Sequence, residues 1–303
     1  MKYYKKSNIN RFHVITFRFP AAKYPMTQPT AKHLILDLLV AKDGEPLQVR
    51  EAIIACRLFG LTENSVRVAL ARLAAESLVE GAERGSYRLG PSAVELSEEL
   101  TAWRTVETRL RRWSGAYLMV SCISLGRVDR TALARRERAL EMLGFREWDK
   151  SLYVRPDNVE GNVDTVRRRL TKLGVEPSAA VFVTGGFDAA QEARIRALWD
   201  GEALSDTYRT LGAQLEDWLA RAPELDLDVA AREAFLLGGK AIRQVVFDPL
   251  LPEPFVDAAA RAAFIECARR YVGVGHRIWR ALFDSERPAA AAAPSAAAVS
   301  RLH

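Results

Sequence analysis

LQVREAIIACRLFGLTENSVRVALARLAAESLVEGAERGSYRLG, residues 47–90, decides how the chain is read. Ile53, Ile54 and Leu58 mark a helix over Val49 to Phe59 that stops at Gly60. Thr62 is placed to cap the next helix, which runs to about Ser77 and turns Val66, Ala69, Leu70 and Leu73 inward. Val79 to Leu89 alternates weakly around Gly81 and Gly85, as a small hairpin does. Upstream, Thr30 heads a helix with the stripe Leu34, Ile35, Leu38 and Leu39, ending at Asp43-Gly44. Two helices joined by a tight turn at Gly60-Leu61-Thr62, followed by a hairpin, form the pattern of a winged helix-turn-helix over 26–92.

Such a unit reads DNA only if its second helix buries one face and leaves the other free for the major groove. Asn64, Arg67, Val68 and Ala71 fall opposite the buried stripe. Ala71 is small enough for close approach, Arg67 matches guanine O6 and N7, and Asn64 matches adenine. Thr62 and Ser65 at the helix start suit a phosphate, and Arg72 on the flank suits the backbone. In the hairpin, Arg84, Ser86, Tyr87 and Arg88 stand near the turn, where a wing reaches backbone or minor groove. The bland alternative is a small helical domain with a solvated Arg67.

The rest of the chain divides by rhythm. Residues 93–112 read as a linker helix. Over 113–187, strands are expected at Tyr117 to Ile123, Trp148 to Val154 and Ala179 to Thr184, with helices at Asp129 to Leu143 and Val163 to Leu173 between them. That alternation predicts a small ferredoxin-like α/β sandwich. Over 188–286 every segment is helical: Ala190 to Trp199, Ser205 to Ala220, Val229 to Phe247 and Val256 to Phe283. Residues 287–303, rich in Ala, Pro and Ser, are expected to be a disordered tail. The fold class is therefore α+β and multidomain.

Composition narrows the function. The chain has 303 residues, 49% apolar and 27% charged, and a net charge of +6. Residues 1–25 hold six cations and no acid, so this segment alone accounts for the excess. It reads as a basic arm able to touch phosphates, as a targeting remnant, or as sequence ahead of a start at Met26. It lacks the apolar run of a secretory signal. Residues 26–100 carry −3, 101–172 carry +7, 173–230 carry −7 and 231–303 carry +3. No stretch has the length and apolarity of a membrane helix. Cys56, Cys122 and Cys267 are far apart among apolar neighbours, and the four histidines make no ligand spacing, so core thiols, no metal and a cytoplasmic setting are expected.

Several blocks resemble the PaaX family, repressors of phenylacetic acid catabolism. Val66 to Leu73, then Ser77-Leu78-Val79, then Arg84 to Tyr87 resemble its winged helix. Trp113-Ser114-Gly115-Ala116-Tyr117-Leu118 resembles its Trp-Asp-Gly-x-Trp entry to the central domain, with Ser114 for Asp and Tyr117 for Trp. Trp199 and Tyr208 lie where its C-terminal part has a Trp and a Tyr. Arg243 to Pro252 resembles its Arg-Arg-x-x-x-x-Asp-Pro-x-Leu-Pro signature, the most specific of these. The resemblance spans roughly 30–285. It implies an N-terminal winged helix, a central ferredoxin-like (Cas2-like) dimerisation domain and a helical C-terminal part. It further implies a homodimer on double-stranded, palindromic operator DNA, released by an aryl-acetyl-CoA-type thioester or other small-molecule effector. The family's Trp-x-Gly after the signature is replaced by Ala258 to Phe264, which leaves the effector open.

Nothing marks an enzyme or a cofactor. There is no G-x-S-x-G, P-loop or G-x-G-x-x-G, and Asp248 reads as a helix stop. Where a metal-dependent nuclease would hold a carboxylate after the first central strand, Ser121, Cys122 and Ser124 stand instead. Trp199, Tyr208, Trp218, Lys240 and Arg243 are candidates for an effector pocket, as aryl partners and a charged handle. The reading from a different class is an acyl-CoA-binding or protein-interaction module without DNA recognition.

Overall fold

The computed structural model describes residues 29–286 apart from 43, 92 and 95–101. The expected basic arm at 1–25 and the tail at 287–303 lie outside the described residues, as does part of the 93–112 linker. The fold is mixed α+β, with two small antiparallel sheets among many helices.

The first group comprises α1 (Ala31–Ala41), β1 (Leu47–Gln48), α2 (Val49–Arg57), α3 (Glu63–Ala75), β2 (Val79–Gly81) and β3 (Ser86–Leu89). Thr30 caps α1 by accepting from the His33 amide, and Thr62 caps α3 by accepting from the Ser65 amide. Gly60 takes φ 70°, open to glycine at no steric cost, and turns the chain between α2 and α3. Leu34, Ile35, Ile54, Val66, Leu70 and Leu73 meet in one core. That core is not closed by its own group. Ala231, Trp279 and Leu282 from the far end of the chain belong to it, and Phe59 meets Phe235 edge-on at 5.4 Å.

The second group runs β4 (Tyr117–Ser121), α4 (Arg130–Met142), β5 (Arg146–Asp149), β6 (Leu152–Pro156), α5 (Val163–Leu173) and β7 (Ala180–Thr184). Its sheet has the order β5-β6-β4-β7 with every pair antiparallel. Leu118, Val120, Tyr153 and Val181 pack with Ala139, Leu140 and Leu170 of α4 and α5. Tyr117, Met119 and Val154 look the other way, into the C-terminal helices. The Arg136 guanidinium, 2% exposed, grips Glu176 with two bonds of 2.7 and 2.9 Å.

Two expectations change here. The single strand expected over Trp148 to Val154 is a hairpin, β5 and β6, because Ser151 adopts φ 60° and reverses the chain. A bond of 2.8 Å from the Ser151 amide to Glu147 holds that turn without a glycine. Of the expected linker helix, Ala93 and Val94 are helical, but the described stretch after 101 is a 3-10 segment, Ala102–Arg109, with non-helical geometry at Thr105. Trp103 and Val106, on either side of the break at Thr105, both bury into the core shared with the C-terminal helices.

The third group is helical: α6 (Ala189–Arg196), α7 (Gly201–Arg221), α8 (Leu227–Val246) and α9 (Ala258–Ser285). Tyr208, Leu211, Leu215 and Trp218 of α7 face Phe264, Ala268 and Tyr271 of α9. Between α8 and α9 the chain passes through Asp248 to Pro252. Asp248 is 6% exposed; it accepts from the Tyr208 hydroxyl at 2.5 Å and from the Leu250 amide at 2.7 Å. The Pro249 and Leu250 carbonyls accept from Arg155 and Asn158, tying this passage to the end of β6. No helix among the described residues is long and apolar enough to cross a membrane.

Candidate nucleic-acid interface

Helix α3 separates its faces as its sequence demands. Val66, Ala69, Leu70 and Leu73 are buried, whereas Asn64, Arg67, Val68, Ala71 and Arg72 are exposed. At 100° per residue, Asn64, Val68 and Ala71 form one narrow ridge, with Arg67 and Arg72 on its two flanks. Val68 is 41% exposed, an apolar group left bare on a helix whose other face is packed. A thymine methyl is a suitable partner for it.

Charge on the ridge is partly neutralised. The Arg67 Nε donates to Glu63 at 3.1 Å, and its Nη2 donates to the same oxygen. Glu63 and Arg67 are four apart on one face, the favoured order for a helical ion pair. Both side chains are more than half exposed, so the pair contributes only about 0.3–0.5 kcal/mol and breaks readily in favour of a better partner. At the helix start, Thr62 Oγ1 lies 2.9 Å from Ser65 Oγ, and Ser65 is only half-exposed.

The hairpin contributes less than its composition promises. Arg84 is exposed at the tip, and Gly85 takes φ 80° in the turn. Arg88 is exposed, but its Nε donates to Glu80 across the ladder at 2.7 Å. Ser86 is not a surface contact. It is 1% exposed, because β3 is the central strand and β1 covers this position. Its hydroxyl accepts from the Glu83 amide at 3.0 Å and donates to the Glu83 carbonyl at 3.3 Å, which shapes the turn. Tyr87 is half-buried against the core. The role of Glu63 and Glu80 as partners was open to detection from spacing alone, i to i+4 on a helix and opposite one another on a hairpin.

The five expected effector residues do not gather. Trp199, Tyr208 and Trp218 are each under 10% exposed and pack on rings of the core. Trp199 meets Phe255 at 5.6 Å, Tyr208 stacks on Phe264 at 6.1 Å, and Trp218 meets Tyr271 at 4.5 Å. Aromatics at helical spacing on α7 serve its contact with α9. Lys240 and Arg243 are exposed on α8 instead, Lys240 donating to Gln214 at 3.2 Å. Cys56, Cys122 and Cys267 are buried, and burial pushes each thiol up, to about 11 for Cys56 and Cys122 and about 12 for Cys267.

Comparison with known proteins adds two findings. Among solved structures, the uncharacterized protein Rv0674 from Mycobacterium tuberculosis is similar at a TM-score of 0.60 and 20% identity, over 84% of this chain and 99% of that one. At such identity the likeness concerns the fold alone. No curated protein matches. Residues 199–281 match the family described as PaaX-like protein C-terminal domain, a span that takes in Tyr208, Asp248 and the segment through Pro252. Over those residues the chain is similar to the C-terminal domain of PaaX-like proteins.

Proposed function

We propose that this chain is a sequence-specific DNA-binding transcriptional repressor of the PaaX type. The carrying observation is the exposed ridge of Asn64, Val68 and Ala71 between Arg67 and Arg72, on a helix held by a fully apolar opposite face. With the hairpin beside it, the first group fits a winged helix-turn-helix. The second group's β-α-β-β-α-β order and its β5-β6-β4-β7 sheet fit a ferredoxin-like unit, which we assign to dimerisation. Two copies then place two recognition helices on a palindromic operator about 34 Å apart. An aryl-acetyl-CoA-type effector releases the operator by its differential affinity for the two arrangements. No catalytic role is assigned, and the site of action is the cytoplasm.

A second reading has its own support. Arg67 and Arg88 are both paired with glutamates, and the 26–100 segment carries −3. These features count against a purely electrostatic DNA binder, which leaves a protein-interaction or acyl-CoA-binding module as the alternative. One experiment separates the two. Fragments of the source genome retained by the full chain are sequenced, and one of them is titrated at increasing salt. A repressor gives a shared motif and a log-log slope near −0.9 per phosphate contact. Retention without a motif and a flat salt response assigns the chain to the second class.

A further inference from the structure

Strand β7 ends one side of the second sheet, and among the described residues it pairs with β4 alone. It reads Ala180-Val181-Phe182-Val183-Thr184, with no charge and no proline. Phe182 and Val183 are 41% and 45% exposed. They stand beside Met119 and Leu118, so they bare apolar surface on opposite faces of the sheet. The strand at the other end is built differently. β5 carries Arg146, Glu147 and Asp149, and its ladder with β6 is irregular between Glu147 and Asp149. Charges and bulges keep a sheet edge from pairing with another chain. β5 has both, whereas β7 has neither and exposes two large apolar side chains instead.

We infer that β7 pairs antiparallel with the same strand of a second copy of this chain, about a two-fold axis at Phe182. This rests on the assignment of the second group to dimerisation and names the surface that performs it. Full overlap of a five-residue strand with itself has one centre, residue 182. It sets Phe182 against Phe182 of the partner subunit, Val181 against Val183 of the partner subunit, and Ala180 against Thr184 of the partner subunit. No charge faces another within the strand, and each facing pair lies on one side of the joined sheet, where cross-strand aromatic and β-branched contacts stabilise it. Beside the axis, Arg167 Nη2 donates to the Val181 carbonyl at 3.3 Å, and Asp164 neutralises the same guanidinium within its own chain. Pairing of β7 with β5 of the next copy would propagate as an open filament. The charges and the irregular ladder of β5 oppose it, so association closes at two copies.

Sedimentation velocity of the full chain over a concentration series tests this, with Phe182→Lys, Phe182→Glu and Val229→Lys alongside. Phe182→Lys sets like charges face to face at the axis and should raise the dimer dissociation constant about 100-fold, as should Phe182→Glu. An equimolar mixture of the two should dimerise again, because residue 182 meets only itself, and that recovery also shows both variants to be folded. Val229→Lys, at an equally exposed valine on α8, should change nothing. Should the charged variants unfold, Phe182→Thr keeps strand propensity and should weaken the dimer about 2- to 5-fold. A wild-type chain that is monomeric at every concentration overturns both this surface and the dimerisation assignment, and leaves β7 to an extended segment of another protein. A dimer unaltered by Phe182→Lys, or Lys and Glu variants that stay apart on mixing, overturns the surface and leaves the dimerisation assignment standing. Association that grows with concentration past two copies overturns the closed two-fold pairing.

Discussion

Replacing Arg67 by alanine isolates the base-reading step. In the free protein this guanidinium rests on Glu63 in an exposed pair worth about 0.3–0.5 kcal/mol. A bidentate contact to guanine is worth about 1–3 kcal/mol of discrimination, so exchanging Glu63 for the base remains favourable. Alanine removes the base contact and one positive charge from the ridge. Affinity for a selected fragment should fall about 5- to 150-fold, with the guanine preference at one position lost. Arg72→Ala should instead weaken every sequence alike and lower the salt slope by about 0.9, one phosphate contact. Fluorescence anisotropy with the selected fragment, single-base variants of it and an unrelated duplex reads all of this. Unchanged affinity and unchanged base preference in Arg67→Ala would refute the assignment of α3 as the reading helix.

Tyr208→Phe removes the hydroxyl that satisfies a buried carboxylate, and urea unfolding should show a loss of about 1.5–3 kcal/mol. Gly201→Ala tests close packing at the start of α7. Helix propensity alone favours alanine by about 1 kcal/mol. A Cβ there would lie 1.7 Å from the Phe255 carbonyl oxygen, so the variant should lose about 1–3 kcal/mol instead. Arg136 holds the Glu176 carboxyl below its usual value, so that pair stabilises the fold above the unfolded carboxyl's range and is lost as pH falls through the lower, folded value. Glu176→Gln should cost about 3 kcal/mol at pH 7, because it strands a buried guanidinium. The gap between wild type and variant should then narrow in acid, as read by denaturant midpoints at pH 7 and pH 3.

Most helices were legible because their ends are written locally. Asn162 caps α5 and Gly174 closes it at φ 105°, so Val163–Leu173 follows from two residues and a stripe. Thr62 likewise caps α3, and Gly60 ends α2 just before it. The β5–β6 turn was hidden because Ser151 carries a conformation that ordinarily signals glycine, stabilised by a side chain four positions away. Two-residue β1 has no pattern to read; it exists because β3 offers it an edge. The ridge of α3 was readable from periodicity, but the burial of Ser86 was not, since it depends on that same unannounced strand. Trp199, Tyr208 and Trp218 misled for a related reason. A ring that lines a cavity and a ring that fills a core have the same sequence signature, and only the partners Phe255, Phe264 and Tyr271 decide between them.

Helix α9 spans 28 residues, a rod of about 42 Å, and its two ends do different things. Near its start, Arg261 donates to the Leu251 carbonyl of the passage that Asp248 organises. Near its finish, Trp279 and Leu282 sit inside the core beneath α3. The N-terminal group therefore has no free swivel; it is bolted to the far end of a lever whose near end rests on the Asp-Pro-x-x-Pro joint. A tilt of a few degrees at that joint displaces the head by about 2–3 Å over such a length, which on the proposed repressor reading is enough to spoil register between paired half-sites. Severing the first 90 residues would also strip an apolar wall from their core, so the head and its lever must be inherited, transplanted or engineered as one piece.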